Sequence, residues 1–158
     1  MKIKEKLICL LIAASAIAID QVSKHAVRGI MESREGSEII VIKGFLSIIH
    51  SYNTGIAFGL FKGAPSFYLY LPIVIVVLML VFFLRLGREQ IVSLIGLGLM
   101  LGGALGNLID RFISGRVYDF IDAYISSAHW PTFNAADTFI VIGVFVFAIA
   151  MLRGEHDA

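Results

Sequence analysis

Four long apolar runs, separated by polar connectors, organise this chain. A hydrocarbon layer about 30 Å thick takes roughly 20 helical residues to cross. Runs at residues 7–27, 67–84, 91–109 and 134–152 meet that requirement, so the pattern predicts four transmembrane helices in a single membrane-embedded domain spanning residues 1–158. The first run opens with thirteen apolar or small residues, Leu7 to Ile19, and then carries Asp20, Gln21, Ser23 and Lys24. Lys2, Lys4 and Lys6 ahead of that core, with Ala14-Ser15-Ala16 behind it, also fit a cleavable signal peptide. The three later runs embed the chain in either case, and a retained first helix gives an even number of spans. The second run holds Pro72 in its first turns, where a missing N–H matters least. The third contains Gly96, Gly98, Gly102, Gly103, Ala104 and Gly106, small residues that let helix backbones approach closely, and is predicted to be the central packing helix.

A connector of roughly forty residues between the first two spans is too long to lack structure of its own. Ile, Val and Phe are enriched in two stretches, Glu38 to Lys43 and Phe45 to Tyr52, with Gly44 as the bend, and predict a pair of short strands. The expected fold is therefore an all-α polytopic membrane protein with a small extracytoplasmic β-sheet, residues 32–61, between helices 1 and 2. Asn53-Thr54-Gly55-Ile56-Ala57-Phe58-Gly59 is too glycine-rich for a strand interior and too apolar for a solvated loop. Such a segment dips towards the bilayer only where its backbone is buried in protein or lines a cavity. Phe58, beside the small Gly55, Ala57 and Gly59, reads as a cap over an apolar groove, with core packing as the alternative.

Composition agrees with the membrane setting: 58% of the residues are apolar, 16% are charged, and the mean hydropathy is +0.88. A formal net charge of +1 leaves no basic footprint for nucleic acid. Lys2, Lys4, Lys6, Arg85, Arg88 and Arg153, six of the thirteen basic residues, fall in three short pieces on one side. That side is expected to be cytoplasmic, and both termini with it. Trp130, Tyr118 and Tyr124 suit the outer interface, and Tyr68 and Tyr70 could join the same aromatic belt. Cys9 lies deep in the first run and reads as an inert buried thiol. His25, His50, His129 and His156 show no metal-ligand spacing, so no metal is expected.

Asp119 and Asp137 are the candidate chemistry. Each adjoins a long apolar run, and a carboxylate near hydrocarbon is costly enough to mark a functional site. Two carboxylates sharing a site cannot both ionise cheaply; one keeps a proton while the other stays charged, which supplies an acid and a base together. Asp137 follows the N-cap candidate Asn134 by three positions, and the positive helix end there favours its ionisation and a role as the initial base. Plainer readings stand beside this one. Asp137 could complete an Asn-x-x-Asp cap. Asp119 and Asp122 could be ordinary interfacial carboxylates, on one face if their stretch is helical. Asp20 and Lys24, spaced i,i+4, could simply neutralise each other, and Asn107, Asp110 and Arg111 could form a cluster that fixes the segment bearing Asp119. Asn53 could satisfy its own turn or hold a substrate backbone. A proton- or ion-coupled small transporter is the alternative function, since intramembrane carboxylates also build relays. Against it, the ionisable residues gather at one side, and Phe139 to Met151 offers no polar path. A packing subunit would leave both aspartates unexplained.

Five blocks carry a resemblance: Asp20-Gln21-Val22-Ser23-Lys24, Asn53-Thr54-Gly55-Ile56-Ala57-Phe58, Gly106-Asn107-Leu108-Ile109-Asp110-Arg111, Gly115-Arg116-Val117-Tyr118-Asp119-Phe120 and Phe133-Asn134-Ala135-Ala136-Asp137. In content and order they resemble the signature blocks of the lipoprotein signal peptidases, or signal peptidase II. The resemblance implies an aspartic endopeptidase that removes the signal peptide from prolipoproteins just before a diacylglyceryl-modified cysteine. It implies Asp119 and Asp137 as the catalytic dyad, with Asp20, Lys24, Asn53, Asn107, Asp110, Arg111, Asn134 and Ala136 supporting or lining the site. It further implies a multi-pass protein of the bacterial inner membrane with its site near the outer leaflet and no cofactor. The partners expected are lipidated prolipoproteins and membrane lipid, with the protein itself a monomer.

Overall fold

The computed structural model describes residues 3–32, 38–54, 65–85 and 91–154. They form four helices, α1 (Ile3–Glu32), α2 (Pro65–Arg85), α3 (Ile91–Ser114) and α4 (Ala135–Gly154), and four strands, β1 (Ile39–Ile42), β2 (Leu46–Asn53), β3 (Val117–Ile125) and β4 (Ala128–His129). Among the described residues, α1, α3 and α4 are long and apolar enough to cross a membrane, and α2 contributes a shorter apolar stretch, Leu69–Leu84. Each helix overruns the apolar run that predicted it. Polar residues such as Lys24 and Asp110 lie inside α1 and α3, because their partners are also inside the fold.

The small residues of α3 explain its central place. Gly98 faces Cys9 and Ile12 of α1, Gly102 faces Ala13 and Ala16, Gly96 faces Gly143 and Phe147 of α4, and Gly103 faces Ala136 and Ile140. A methyl group on Gly96 would sit 2.7 Å from the main-chain nitrogen of Phe147, so α4 could not keep its distance. Without a hydrophobic force between helices in lipid, such close backbone packing is what holds a bundle together. The buried Cys9 joins Ala13, Leu94, Leu97 and Leu101 in the inner core. By contrast α2 packs chiefly on α3 and turns Val74, Val77, Leu78 and Leu84 outward, as a lipid-facing helix does.

The sheet is larger than expected. The pair β1–β2 forms on either side of Gly44, whose φ of 81° supplies the bend, but the antiparallel order is β1-β2-β3-β4. Half of the sheet therefore comes from the segment between α3 and α4, not from the connector between α1 and α2. Val117–Ile125 is rich in Val, Ile, Phe and Tyr, but Asp119 and Asp122 interrupt it. As a central strand it is buried at four consecutive positions, which removes the alternation that marks a half-buried strand. Gly115, with φ 69° and its N–H donating to the Arg111 carbonyl at 3.0 Å, ends α3 and turns the chain into β3. Because this stretch is a strand and not a helix, Asp119 and Asp122, three apart, point to opposite faces.

Tyr118 is 0% exposed, so it does not belong to an interfacial belt. Its ring is enclosed by His50, Tyr52, Phe120 and the Arg28 guanidinium. Trp130 is 60% exposed. Gly55, Phe58 and the rest of the predicted dip beyond Thr54 lie outside the described residues, as do Lys2, Arg88 and His156.

Candidate active site

Asp119 comes from the middle of the sheet and Asp137 from the first turn of α4. Asn134 joins them. Its side-chain amide donates to Asp119 Oδ1 at 2.7 Å, and its main-chain N–H donates to Asp137 Oδ2 at 3.1 Å. The Asp137 N–H donates back to Asn134 Oδ1 at 3.1 Å, so the capping reading and the paired-acid reading describe one arrangement. Each carboxylate has a second donor: Asn53 Nδ2 reaches Asp119 Oδ2 at 3.1 Å, and Asn107 Nδ2 reaches Asp137 Oδ1 at 2.8 Å.

Behind this pair lies a buried charged cluster. Lys24 Nζ meets Asp20 Oδ2 at 2.8 Å, Asp110 Oδ2 at 3.0 Å and Asn107 Oδ1 at 3.0 Å. The Asn107 oxygen also accepts from Asn134 Nδ2 at 3.0 Å, which ties the cluster to the two carboxylates. A helix start leaves unpaired N–H groups, and here Asp20 Oδ1 satisfies that of Ala136 at 3.0 Å. Asp110 Oδ2 takes the Tyr118 N–H at 3.2 Å and so fixes the strand next to Asp119. Arg111 Nη1 donates to the Asn107 carbonyl at 3.1 Å. Gly106 makes room for the cluster, since a methyl there would lie 2.6 Å from Asp20 Oδ2. The structure thus brings together Asp20, Lys24, Asn53, Asn107, Asp110, Arg111, Asn134 and Ala136 around the two acids. The Asp20–Lys24 contact is one edge of a three-helix network, not an isolated pair.

Sequence reasoning missed Gln21. Its Nε2 donates to Asp20 Oδ2, Asp110 Oδ1 and the Gly106 carbonyl at 3.0, 3.1 and 3.2 Å, stitching α1 to α3. A polar amide directly after Asp20 within an apolar run was the available signal. The segment Trp130–Phe133 was also missed as part of the site.

Burial is the main influence on Asp119, which is 1% exposed, and the neighbouring Asp137 charge acts in the same direction. Together they outweigh the donors Asn53 and Asn134 and the Lys24 charge, and push its carboxyl from the ordinary 3.8 up to about 6. Both acids line a cavity of ≈ 600 Å³. Asn53, Asn107 and Arg111 join them at its polar part, while Pro72, Ile75 and Met79 of α2, Met100 of α3 and Ile140 of α4 make the remainder apolar. A largely apolar cavity that also holds two neighbouring acids suits acid and base chemistry on a substrate that is itself largely apolar. Among the described residues, no group of three or more His, Cys, Asp or Glu is placed to hold a metal ion.

A family model described as signal peptidase (SPase) II matches residues 12–153. A lipoprotein signal peptidase of Staphylococcus haemolyticus, strain JCSC1435, is 35% identical over 150 residues, covering 95% of this chain and 94% of that one. Another, from Staphylococcus aureus strain JH9, is 35% identical over 148 residues, covering 94% of this chain and 90% of that one. A bacterial membrane enzyme solved by the in meso method at 2.3 Å resolution superposes with a TM-score of 0.80 at 34% identity, over 94% of this chain and 90% of that chain. A second, solved by the same method at 1.9 Å, gives 0.77 at 35% identity, over 92% of each.

Proposed function

This chain belongs to the signal peptidase II family, and from that premise we propose that it is an aspartic endopeptidase, with Asp119 and Asp137 as its dyad. Its substrates are prolipoproteins, cut just before the lipidated cysteine. Four helices span the bacterial inner membrane with both termini in the cytoplasm, residues 1–158 make one monomeric domain, and the site lies near the outer leaflet. The observation that carries the mechanism is the junction at Asn134, where one residue holds a carboxylate of the sheet and a carboxylate of α4 in a single cavity.

In the reaction, the ionised member takes a proton from a water whose oxygen attacks the scissile carbonyl carbon. The protonated member donates to the developing oxyanion. When the tetrahedral intermediate collapses, the C–N bond breaks and the leaving nitrogen receives a proton from the dyad. Asp137, at a helix N-terminus and with the Asn134 N–H on its carboxylate, is the better-supported base. Asp119, with its raised pKa, is the better-supported proton donor. The apolar part of the cavity receives the membrane-borne part of the substrate from the side, and the lipid around it excludes bulk water and strengthens the electrostatics.

Purified protein is expected to release the signal peptide from a lipidated prolipoprotein and to leave the unlipidated precursor intact. No cleavage of either, or ion flux in liposomes without proteolysis, would overturn the proposal.

A pH dependence follows from Asp119. Its pKa of about 6, with Asp137 already charged, describes loss of the shared proton. The productive, singly protonated dyad therefore declines as pH rises through about 6, so kcat/KM should fall on the alkaline side of that value. Bound substrate removes more water and raises the pKa further, so the same limb in kcat should lie at higher pH. Profiles of both parameters check this, and a kcat/KM that climbs steadily from pH 5 to 9 would contradict it.

A further inference from the structure

One segment of the cavity lining adjoins a side-chain contact that the peptidase chemistry does not use. Trp130, Pro131, Thr132 and Phe133, four consecutive residues, all line the cavity that holds the two acids. Main-chain bonds secure the two ends of this lip: Trp130 N–H donates to the Ala123 carbonyl at 2.8 Å, and Phe133 exchanges bonds with Ile121 at 2.9 and 3.1 Å. Immediately before it, His129 ends the two-residue strand β4, which pairs with Tyr124 and Ile125 of β3.

Asp122 adds a side-chain hold on β4 to this main-chain pairing. This carboxylate is only 5% exposed and points away from the dyad, on the far face of β3. Its oxygens lie 3.0 and 2.9 Å from His129 Nδ1, and Ser47 Oγ of β2 lies 3.3 Å from Oδ2. Against a carboxylate, Nδ1 is the nitrogen that carries the proton. The imidazole is stacked on Tyr124 at 5.0 Å between centroids and 19° between planes, which fixes its orientation as well. A buried acid is thus satisfied by two neighbours, and one of them is the residue that leads into the cavity wall.

From this arrangement we infer that His129 is a positioning residue: through Asp122 it sets the Trp130–Phe133 lip against the apolar part of the substrate, and so governs substrate affinity and not the chemical step. The inference rests on the reading of the cavity as the substrate site. His129 touches neither acid of the dyad, so its loss leaves proton transfer intact. A lip free to shift would make fewer contacts in the ground state and the transition state alike, which raises KM and spares kcat.

Trp130 is the only tryptophan of the chain, so its fluorescence reports the lip directly. The test compares the parent with His129→Leu, which removes the donor, and His129→Asn, whose amide replaces Nδ1–H without titrating. Loss of one charge-assisted hydrogen bond is expected to raise KM about fivefold in His129→Leu, with kcat within about twofold of the parent. Fluorescence anisotropy of Trp130 should drop in the same variant, and His129→Asn should restore both readouts. Unchanged anisotropy and KM in His129→Leu would overturn the inference, as would a loss confined to kcat. If the parent cleaves no lipidated prolipoprotein, the peptidase reading fails, while the anisotropy comparison still decides whether His129 holds the lip.

Discussion

Asp119→Asn and Asp137→Asn are each expected to lower cleavage of a lipidated prolipoprotein by at least about 10²-fold, the usual worth of a positioned acid or base. Neither change removes volume, and each new amide keeps one acceptor oxygen for the donors already present, Asn53 and Asn134 at Asp119, Asn107 and Asn134 at Asp137. The other position would place an NH₂ group against a donor, a local cost that the loss of a buried negative charge offsets. Both variants should therefore insert and fold. The double variant should be little worse than either single one, because the two groups act as a unit. Single-turnover cleavage measures all three. A single variant retaining the parent rate would remove its aspartate from the dyad.

Lys24→Met is expected to have the largest effect on stability. Lys24 is 2% exposed and stands between Asp20, which is 0% exposed, and Asp110, which is 6% exposed. Methionine fills most of the space but leaves two buried carboxylates without a cation, and breaking such a buried arrangement from one side costs on the order of 3–5 kcal/mol. The same cluster caps Ala136, supports Asn107 and fixes the Tyr118 N–H, so the loss should spread to α4 and β3. A fall in the thermal midpoint of roughly 10 °C or more is expected in detergent. Adding Asp110→Asn should recover part of it by removing one unpaired charge. A Lys24→Met protein as stable as the parent would show that the cluster is dispensable to the fold.

The helices were legible because a bilayer imposes a simple rule: about 20 apolar residues per crossing. The glycines of α3 gave away its central position for an equally direct reason, the need for close backbone contact. The hairpin around Gly44 was legible from its β-branched residues, but β3 was not. Its two aspartates look like loop chemistry until one sees that Asp119 faces the cavity and Asp122 faces Ser47 and His129 on the other side. Tyr118 misled for a related reason. An aromatic next to a polar site resembles an interface anchor, and only the tertiary fold reveals that Arg28 and Tyr52 cover it. The residues around the acids were identified by their blocks, yet the connections were not: no spacing in the sequence announces that Asn134 serves both carboxylates, or that Gln21 bridges Asp20 to Asp110.

The coupling between the two acids is tested most directly by an infrared titration of the protonated carboxyl band of Asp119, identified as the band that disappears in Asp119→Asn. In the parent this band is expected to titrate at about 6, and replacing Asp137 with Asn should move its midpoint down, because one of the two influences that raise it is gone. A parent midpoint in the ordinary carboxylate range, or one that stays in place in Asp137→Asn, would contradict a dyad that shares its proton.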